Sequence, residues 1–452
     1  MPESPTTSAV AATPGDPGQQ PPATSNRSAL LIVFLVVFID LLGFGIVLPI
    51  LPRIGKDYVS VLIPGQDRRV LVGIVVGGLM AMFSLMQFLV SPIWGRVSDR
   101  VGRRPILLVG LGGSVVFYAL FGFACSLSAG EHAALALTLM FAARIGAGIA
   151  GATIATAQAV IADSTPPDKR KHGMALIGAA FGIGFTFGPL LGALALFLFS
   201  DAAGQSEHVE AVGYMASALS FVALLLGIRL LPETRQFDKT PPLDRRWVDW
   251  SAMRKVLKNP AIGPVVIAFF LATVGFASFE TTLALFLQGV LGLGEKNSYL
   301  YFAYIGVVLM ITQGFIYRRL ASRFSEATFM LMGIVFMAAG LLGLGVVTWA
   351  AWQGVMGNAS LMTLVLAALA VAVVGFAFMT PSAQALISRR TDVNQQGEVL
   401  GVNQSASALA RIAGPAIGPP LYMLTDPPLL PYAFAAVLLL LMLPMMPKIR
   451  KG

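Results

Sequence analysis

Only two of the 22 acidic residues in this 452-residue chain, Asp40 and Glu280, fall well inside long apolar runs. An ionisable group at the centre of a bilayer costs roughly 2.5 to 3.5 kcal/mol on insertion scales, so it needs a partner or a task. Burial disfavours the charged form of a carboxyl and a nearby cation favours it. A carboxyl in such a place can therefore load and release a proton as its surroundings change. Arg144, near the middle of another apolar run, is the cation available to bias it. A buried Asp40–Arg144 pair that only fixes helix packing is the plainer alternative. For Glu280 the choice lies between binding substrate or a proton and merely facing an aqueous cavity. Arg411 precedes Gly414 and Pro415 by about one turn and reads as structural.

Further polar groups in apolar runs are Gln87 and Gln404 together with Gln158, Gln288, Gln313, Gln384 and Asn403. The last five are candidates for a substrate cavity. Phe34, Phe44, Phe181, Met310 and Phe378 are the side chains that would give such a cavity a pliable lipophilic wall. One cysteine, Cys125, and three scattered histidines, His132, His172 and His208, offer no metal site. No nucleophile, base and orienting group occur together, so no enzyme and no cofactor are expected.

Those residues are held in a chain that is 56% apolar and 12% charged, the composition of a polytopic membrane protein. Apolar runs of spanning length predict twelve helices, near 29–51, 70–94, 105–126, 134–161, 174–199, 211–231, 261–290, 298–317, 327–349, 361–387, 399–422 and 431–447. The net charge of +9 does not point to nucleic acid, because 24 of the 31 lysines and arginines fall on one side of this arrangement. The other side holds Arg53, Lys56, Arg68, Arg69 and Lys296, so the positive-inside rule predicts both termini in the cytoplasm. The Pro- and Ser-rich residues 1–28 read as a disordered cytoplasmic tail and not a cleaved signal peptide. Six-helix bundles are expected over 29–231 and 261–447, joined by a cytoplasmic linker at 232–260 and followed by a short tail, 448–452. Trp247, Val248, Trp250, Met253, Val256 and Leu257 predict a short helix at the membrane surface within that linker.

The halves look duplicated. A shift of 223 residues lays Arg96, Arg100 and Gly110 on Arg319, Arg323 and Gly333, and a shift of 226 lays Gly188, Pro189 and Gly192 on Gly414, Pro415 and Gly418. Residues 95–105, GRVSDRVGRRP, are too charged for hydrocarbon and read as a short aqueous loop between the second and third spans. Its second copy has Ser322 where Asp99 stands and Ser325 where Gly102 stands. In the fifth span Gly178, Gly182, Gly184, Gly188 and Gly192 form a small-residue face, and Pro189 permits bending.

A duplicated twelve-span chain carrying this loop resembles the major facilitator superfamily. ARIGAGIAGATIATAQAVIAD (143–163), GAAFGIGFTFGPLLG (178–192) and FIDLLGFGIVLPILP (38–52) are most similar to its drug/proton antiporters, in the branch of tetracycline-resistance efflux proteins. The resemblance implies an all-α integral membrane protein of two pseudo-symmetric six-helix bundles. It assigns Gly95, Asp99, Arg100, Gly102 and Arg103 to a cytoplasmic gating loop in which Asp99 contacts a helix terminus of the other half. It assigns Gly184, Gly188, Pro189 and Gly192 to the antiporter motif and gives Arg144 a role in proton coupling.

The chain departs from tetracycline carriers at Phe117 and Met337, where they have acids, and at Leu309, where they have a histidine. The expectation is therefore a proton-coupled exporter of another small molecule, lipophilic or cationic, with Asp40, Arg144 and Glu280 coupling the proton. It would work as a monomer in the cytoplasmic (inner) membrane, with protons, substrate and lipid as its partners. A metabolite importer or uniporter would share every architectural feature.

Overall fold

The computed structural model describes residues 27–65, 68–164, 170–199, 208–234, 250–392 and 395–451, and every regular element among them is helical. The first span is Arg27–Val47, bent by 45° at residues 48–50, where Pro49 stands, and continued by Leu51–Leu62. The second to sixth are Arg69–Val101, Arg103–Ser126, Ala129–Ala150 with Ile154–Ser164, Arg170–Leu198 and Glu210–Leu230. The seventh is Gly263–Gly289, and the eighth is Glu295–Ile311, prolonged by a π-helical turn, Thr312–Tyr317, and Arg318–Leu320. The remaining spans are Glu326–Trp352, Asn358–Arg389, Gln396–Leu424 and Leu430–Leu440, the last continued by Leu443–Met445 and Met446–Lys451.

Nine of these helices, and a tenth counting the bent pair, are apolar and long enough to cross a membrane. The fifth and eleventh, at 29 residues each, are also long enough at 1.5 Å per residue. Large apolar side chains such as Val116, Phe197 and Val346 point outward, as lipid-facing residues must. The expected tail falls outside the described residues up to 26. So do residues 235–249 of the linker, including Trp247 and Val248. The part of the predicted surface helix that is described, Trp250–Lys258, turns Val256 inward and Arg254, Lys255 and Lys258 outward.

The charged loop after the second span is a correction. The helix runs through Gly95 and Asp99 to Val101, and only Gly102, at φ +111°, breaks it before the third span begins at Arg103. Thirty-three residues of helix extend about 50 Å, well beyond the ~30 Å hydrocarbon layer, so the arginines leave the membrane on a helical extension.

Glycines set the packing, and they do so in duplicate. A Cβ on Gly188 would lie 2.8 Å from the Gly45 backbone, which binds the fifth span to the first. Its repeat partner Gly414 is pressed on Ala277 and Ser278, which binds the eleventh to the seventh in the same way. Gly110 against Ala150 and Thr153, and Gly333 against Gly375 and Met379, repeat the relation for the third and fourth spans and the ninth and tenth. These four contacts make the two halves structural copies.

Candidate functional site

Between the halves lies a small cavity, open at its mouth. Its walls come from the first span (Leu41, Phe44, Leu48), the second (Met80, Phe83, Ser84, Gln87), the seventh (Ala277, Glu280, Thr281) and the eleventh (Arg411, Pro415). The lining is mostly apolar, with one carboxyl and one guanidinium. Glu280 lines it, which fits a binding role and a task-free polar group alike. Arg411 lines it too; its nearness to Gly414 and Pro415 says nothing about which way it points.

Arg144 is 2% exposed and lies behind this wall. Its guanidinium carbon sits 4.6 Å from the Phe83 ring centroid and 5.6 Å from that of Phe44, and those two rings, 5.0 Å apart, also line the cavity. The aromatic faces solvate the cation electrostatically. Its Nε has no hydrogen-bond partner among the described residues. Asp40 lies in the first span, one residue before Leu41 and one turn before Phe44, but its side chain falls outside the described residues. The structure brings Glu280 together with Arg411, and Arg144 with the two phenylalanines.

None of Gln158, Gln288, Gln313, Gln384 and Asn403 is in the cavity lining, whereas Gln87 is, its amide donating to the Gly151 carbonyl at 2.9 Å. Asn403 is buried and Gln384 exposed, while Gln313 lies in the π-helical turn. Of the expected lipophilic side chains Phe44 alone lines the cavity. Phe34 stacks on Phe38, Phe378 packs on Phe329, Met310 points outward, and the side chain of Phe181 lies outside the described residues. Phe117 and Met337, where related carriers have acids, do packing work: a Cβ on Gly146 would strike the Phe117 ring at 2.1 Å, and Met337 is buried against Gly375.

The gating-loop residues form a network inside their own half. Arg103 pairs with Asp99 at 2.5 Å and Asp163 at 3.3 Å, and donates to the Ser98 hydroxyl at 2.7 Å. Glu233, beyond the sixth span, accepts from the backbone N–H groups of Arg103 (2.9 Å) and Arg104 (3.1 Å) and so caps the third span. Gly102 is required twice over, by its positive φ and because a Cβ there would lie 2.5 Å from the Glu233 carboxylate. Arg100 is exposed, and a Cβ on Gly95 would make only an ordinary contact with Ala155. Among the described residues Asp99 pairs with Arg103 and not with the expected helix terminus of the other half.

Four contacts join the halves away from the basic face that carries this network. Arg53 pairs with Glu295 at 2.6 Å, and Arg69 clasps Asp426 with both terminal nitrogens. Tyr299 donates to the Ile46 carbonyl at 2.7 Å, and Thr186 to the Gly306 carbonyl at 3.0 Å. The Arg69 guanidinium holds the Asp426 carboxyl below the usual carboxylate range. Glycines again permit the approach: Gly73 and Gly77 of the second span lie on the Pro419 and Pro415 carbonyls, and Gly192 lies under the Tyr299 ring. Three residues of the antiporter motif therefore have separate contacts, Gly184 with Leu41, Gly188 with Gly45 and Gly192 with the other half, while Pro189 packs beside Gly45. Gly178 and Gly182 lie outside the residues whose side-chain surroundings are described.

A family model described as Major Facilitator Superfamily matches residues 33–415. The chain is 29% identical to the tetracycline resistance protein, class E, of Escherichia coli over 416 residues, covering 88% of this chain and 89% of that protein. It is 28% identical over 443 residues to human major facilitator superfamily domain-containing protein 10, covering 90% and 89%. The crystal structure of that protein, described as the human organic anion transporter MFSD10, superposes with a TM-score of 0.60 and 26% identity over 94% of this chain and 100% of that one. The D-xylose-proton symporter shares the fold, with a TM-score of 0.71, 16% identity and coverage of 95% and 100%.

Proposed function

Because the chain belongs to the major facilitator superfamily, and is a membrane transporter and not an enzyme, we propose that it expels a small lipophilic or cationic drug-like molecule in exchange for protons. The observation that carries this reading is the cavity between the halves, with the intramembrane carboxyl of Glu280 in its wall. With the halves joined through contacts away from the basic face, alternating access is a rocking of one half against the other, which changes the surroundings of every group in that wall. Asp40 is the second proton carrier, and Arg144, screened from the cavity by Phe44 and Phe83, biases both carboxyls. The basic face is the cytoplasmic one and the membrane is the cytoplasmic membrane. Gly95, Asp99, Arg100, Gly102 and Arg103 gate that face. The similarity to tetracycline resistance proteins supports export.

The test is uptake of tetraphenylphosphonium by liposomes carrying the purified chain under an imposed pH gradient. Gradient-driven uptake falls at least tenfold in Asp40→Asn, Glu280→Gln and Arg144→Ala while exchange without a gradient persists. Undiminished gradient-driven uptake in all three refutes the assignment. A second reading, a carrier of an organic metabolite, with or without protons, is favoured by Arg411 in the cavity wall and by the similarity to a protein described as an organic anion transporter. Equal flux with and without the gradient supports its uncoupled form.

A further inference from the structure

Glu280 and Arg411 line the same cavity, yet among the described residues neither makes a hydrogen bond or an ion pair within 4.0 Å, although each charge acts electrostatically on the other. The packing of their helices keeps them apart. The seventh and eleventh spans run parallel and are locked at Gly414, where a Cβ would meet Ala277 Cβ at 2.5 Å. Arg411 comes three residues before that contact and Glu280 three residues after it. At 1.5 Å per residue their backbones are offset by about 9 Å along the helix axes.

Had the two met directly, they would have neutralised each other and left an apolar cavity. As placed, and with Glu280 ionised, they leave two unmet charges of opposite sign on one wall. A simple cation would satisfy Glu280 and leave Arg411 unmet, and a simple anion would do the reverse. Either complex would keep one desolvated charge without a partner, which is costly.

We infer that Glu280 and Arg411 form a two-point site for a zwitterion, with Glu280 taking a protonated amine and Arg411 an acidic group. Phe44, Phe83 and Met80, which face the pair, take its apolar or aromatic body. The planar guanidinium suits a carboxylate or sulfonate by paired hydrogen bonds. This inference revises the substrate class proposed above, from a simple cation to a molecule that carries both an amine and an acidic group. It rests on the cavity being the transport path and not on protons driving the cycle.

The test is calorimetric binding to the full chain in lipid nanodiscs with four matched probes: 2-naphthylalanine, its methyl ester (cation only), its N-acetyl derivative (anion only) and the N-acetyl methyl ester (neutral). The zwitterion binds at least tenfold more tightly than either singly charged probe. Arg411→Gln abolishes its advantage over the ester, and Glu280→Gln abolishes its advantage over the N-acetyl acid. Each variant is judged by the ranking of probes within it, and the exchanged double variant Glu280→Arg, Arg411→Glu keeps the zwitterion first if a single variant fails to fold. Equal binding of the ester and the parent amino acid in the unaltered chain overturns the inference. So does a ranking unchanged in both single variants, or binding of none of the four. A zwitterion preference without gradient-driven flux of 2-naphthylalanine keeps the site and removes the proton-coupled reading; gradient-driven flux of tetraphenylphosphonium without the preference does the opposite.

Discussion

The closed face rests on contacts that a single methyl group should break. Gly77 lies against the Pro415 carbonyl of the other half, and a Cβ there would come within 2.5 Å of that oxygen. The obstacle is backbone, and the adjacent approach of Gly73 to Pro419 and Pro420, also below 3 Å, leaves the second and eleventh spans little room to slide. Restoring an ordinary contact requires the spans to part by about 1 Å, and overpacking of this kind costs about 1 to 3 kcal/mol. Since the clash exists only while this face is closed, Gly77→Ala shifts the conformer ratio toward opening by about 5- to 150-fold. Gly78, the next residue, has nothing within 4 Å of the position a methyl group would take and supplies the control. Spin labels at Leu62 and Leu300, in a Cys125→Ala background, report the separation by double electron–electron resonance. Gly77→Ala moves the distribution to longer distances and Gly78→Ala leaves it in place. No change in Gly77→Ala, or the same change in both, refutes the reasoning.

The Arg69–Asp426 pair makes the same closure pH-dependent. The closed state lowers the Asp426 pKa, so its contribution is full above the open-state value near 4 and is lost as pH falls through the lower closed-state value. Both side chains are about a third or more exposed, so the contribution is about 0.2 to 1 kcal/mol after screening. Asp426→Asn widens the distance distribution modestly at pH 7 and removes its response to high salt; an unaltered salt response counts against a closing role. Gly102→Ala strains a positive-φ position and displaces the Glu233 cap, at a cost of about 1 to 3 kcal/mol. It should lower the melting temperature in detergent, whereas Gly112→Ala, at an open position, should not.

Twelve spans were legible because hydrocarbon demands runs of apolar residues, and the duplication was legible because Gly188 and Gly414 do the same packing work. The end of the second helix was not. Charge marks where a chain leaves the membrane and carries no mark of where it stops being helical, so residues 95–101 read as loop. The cavity lining was harder still. A span that is apolar on every side has no hydrophobic face to orient it, so sequence alone cannot tell that Gln87 faces inward and Gln384 outward, or that Arg411 shares a wall with Glu280. Glu280 itself stood out because a carboxyl is rare there. Phe83 had no signal, since a phenylalanine in a span is ordinary until an arginine is found behind it.

The seam at Gly73, Gly77 and Gly192 is made largely of backbone and ring surface, and the long side chains that bridge the halves, Arg53 to Glu295 and Arg69 to Asp426, lie outside it. Dispersion between closely packed atoms falls away within about an ångström. A seam of this kind has little tolerance for partial separation: it holds fully or it lets go. The packed seam should therefore part in one abrupt step, while the two arginine pairs outside it can follow a widening gap for a few ångströms.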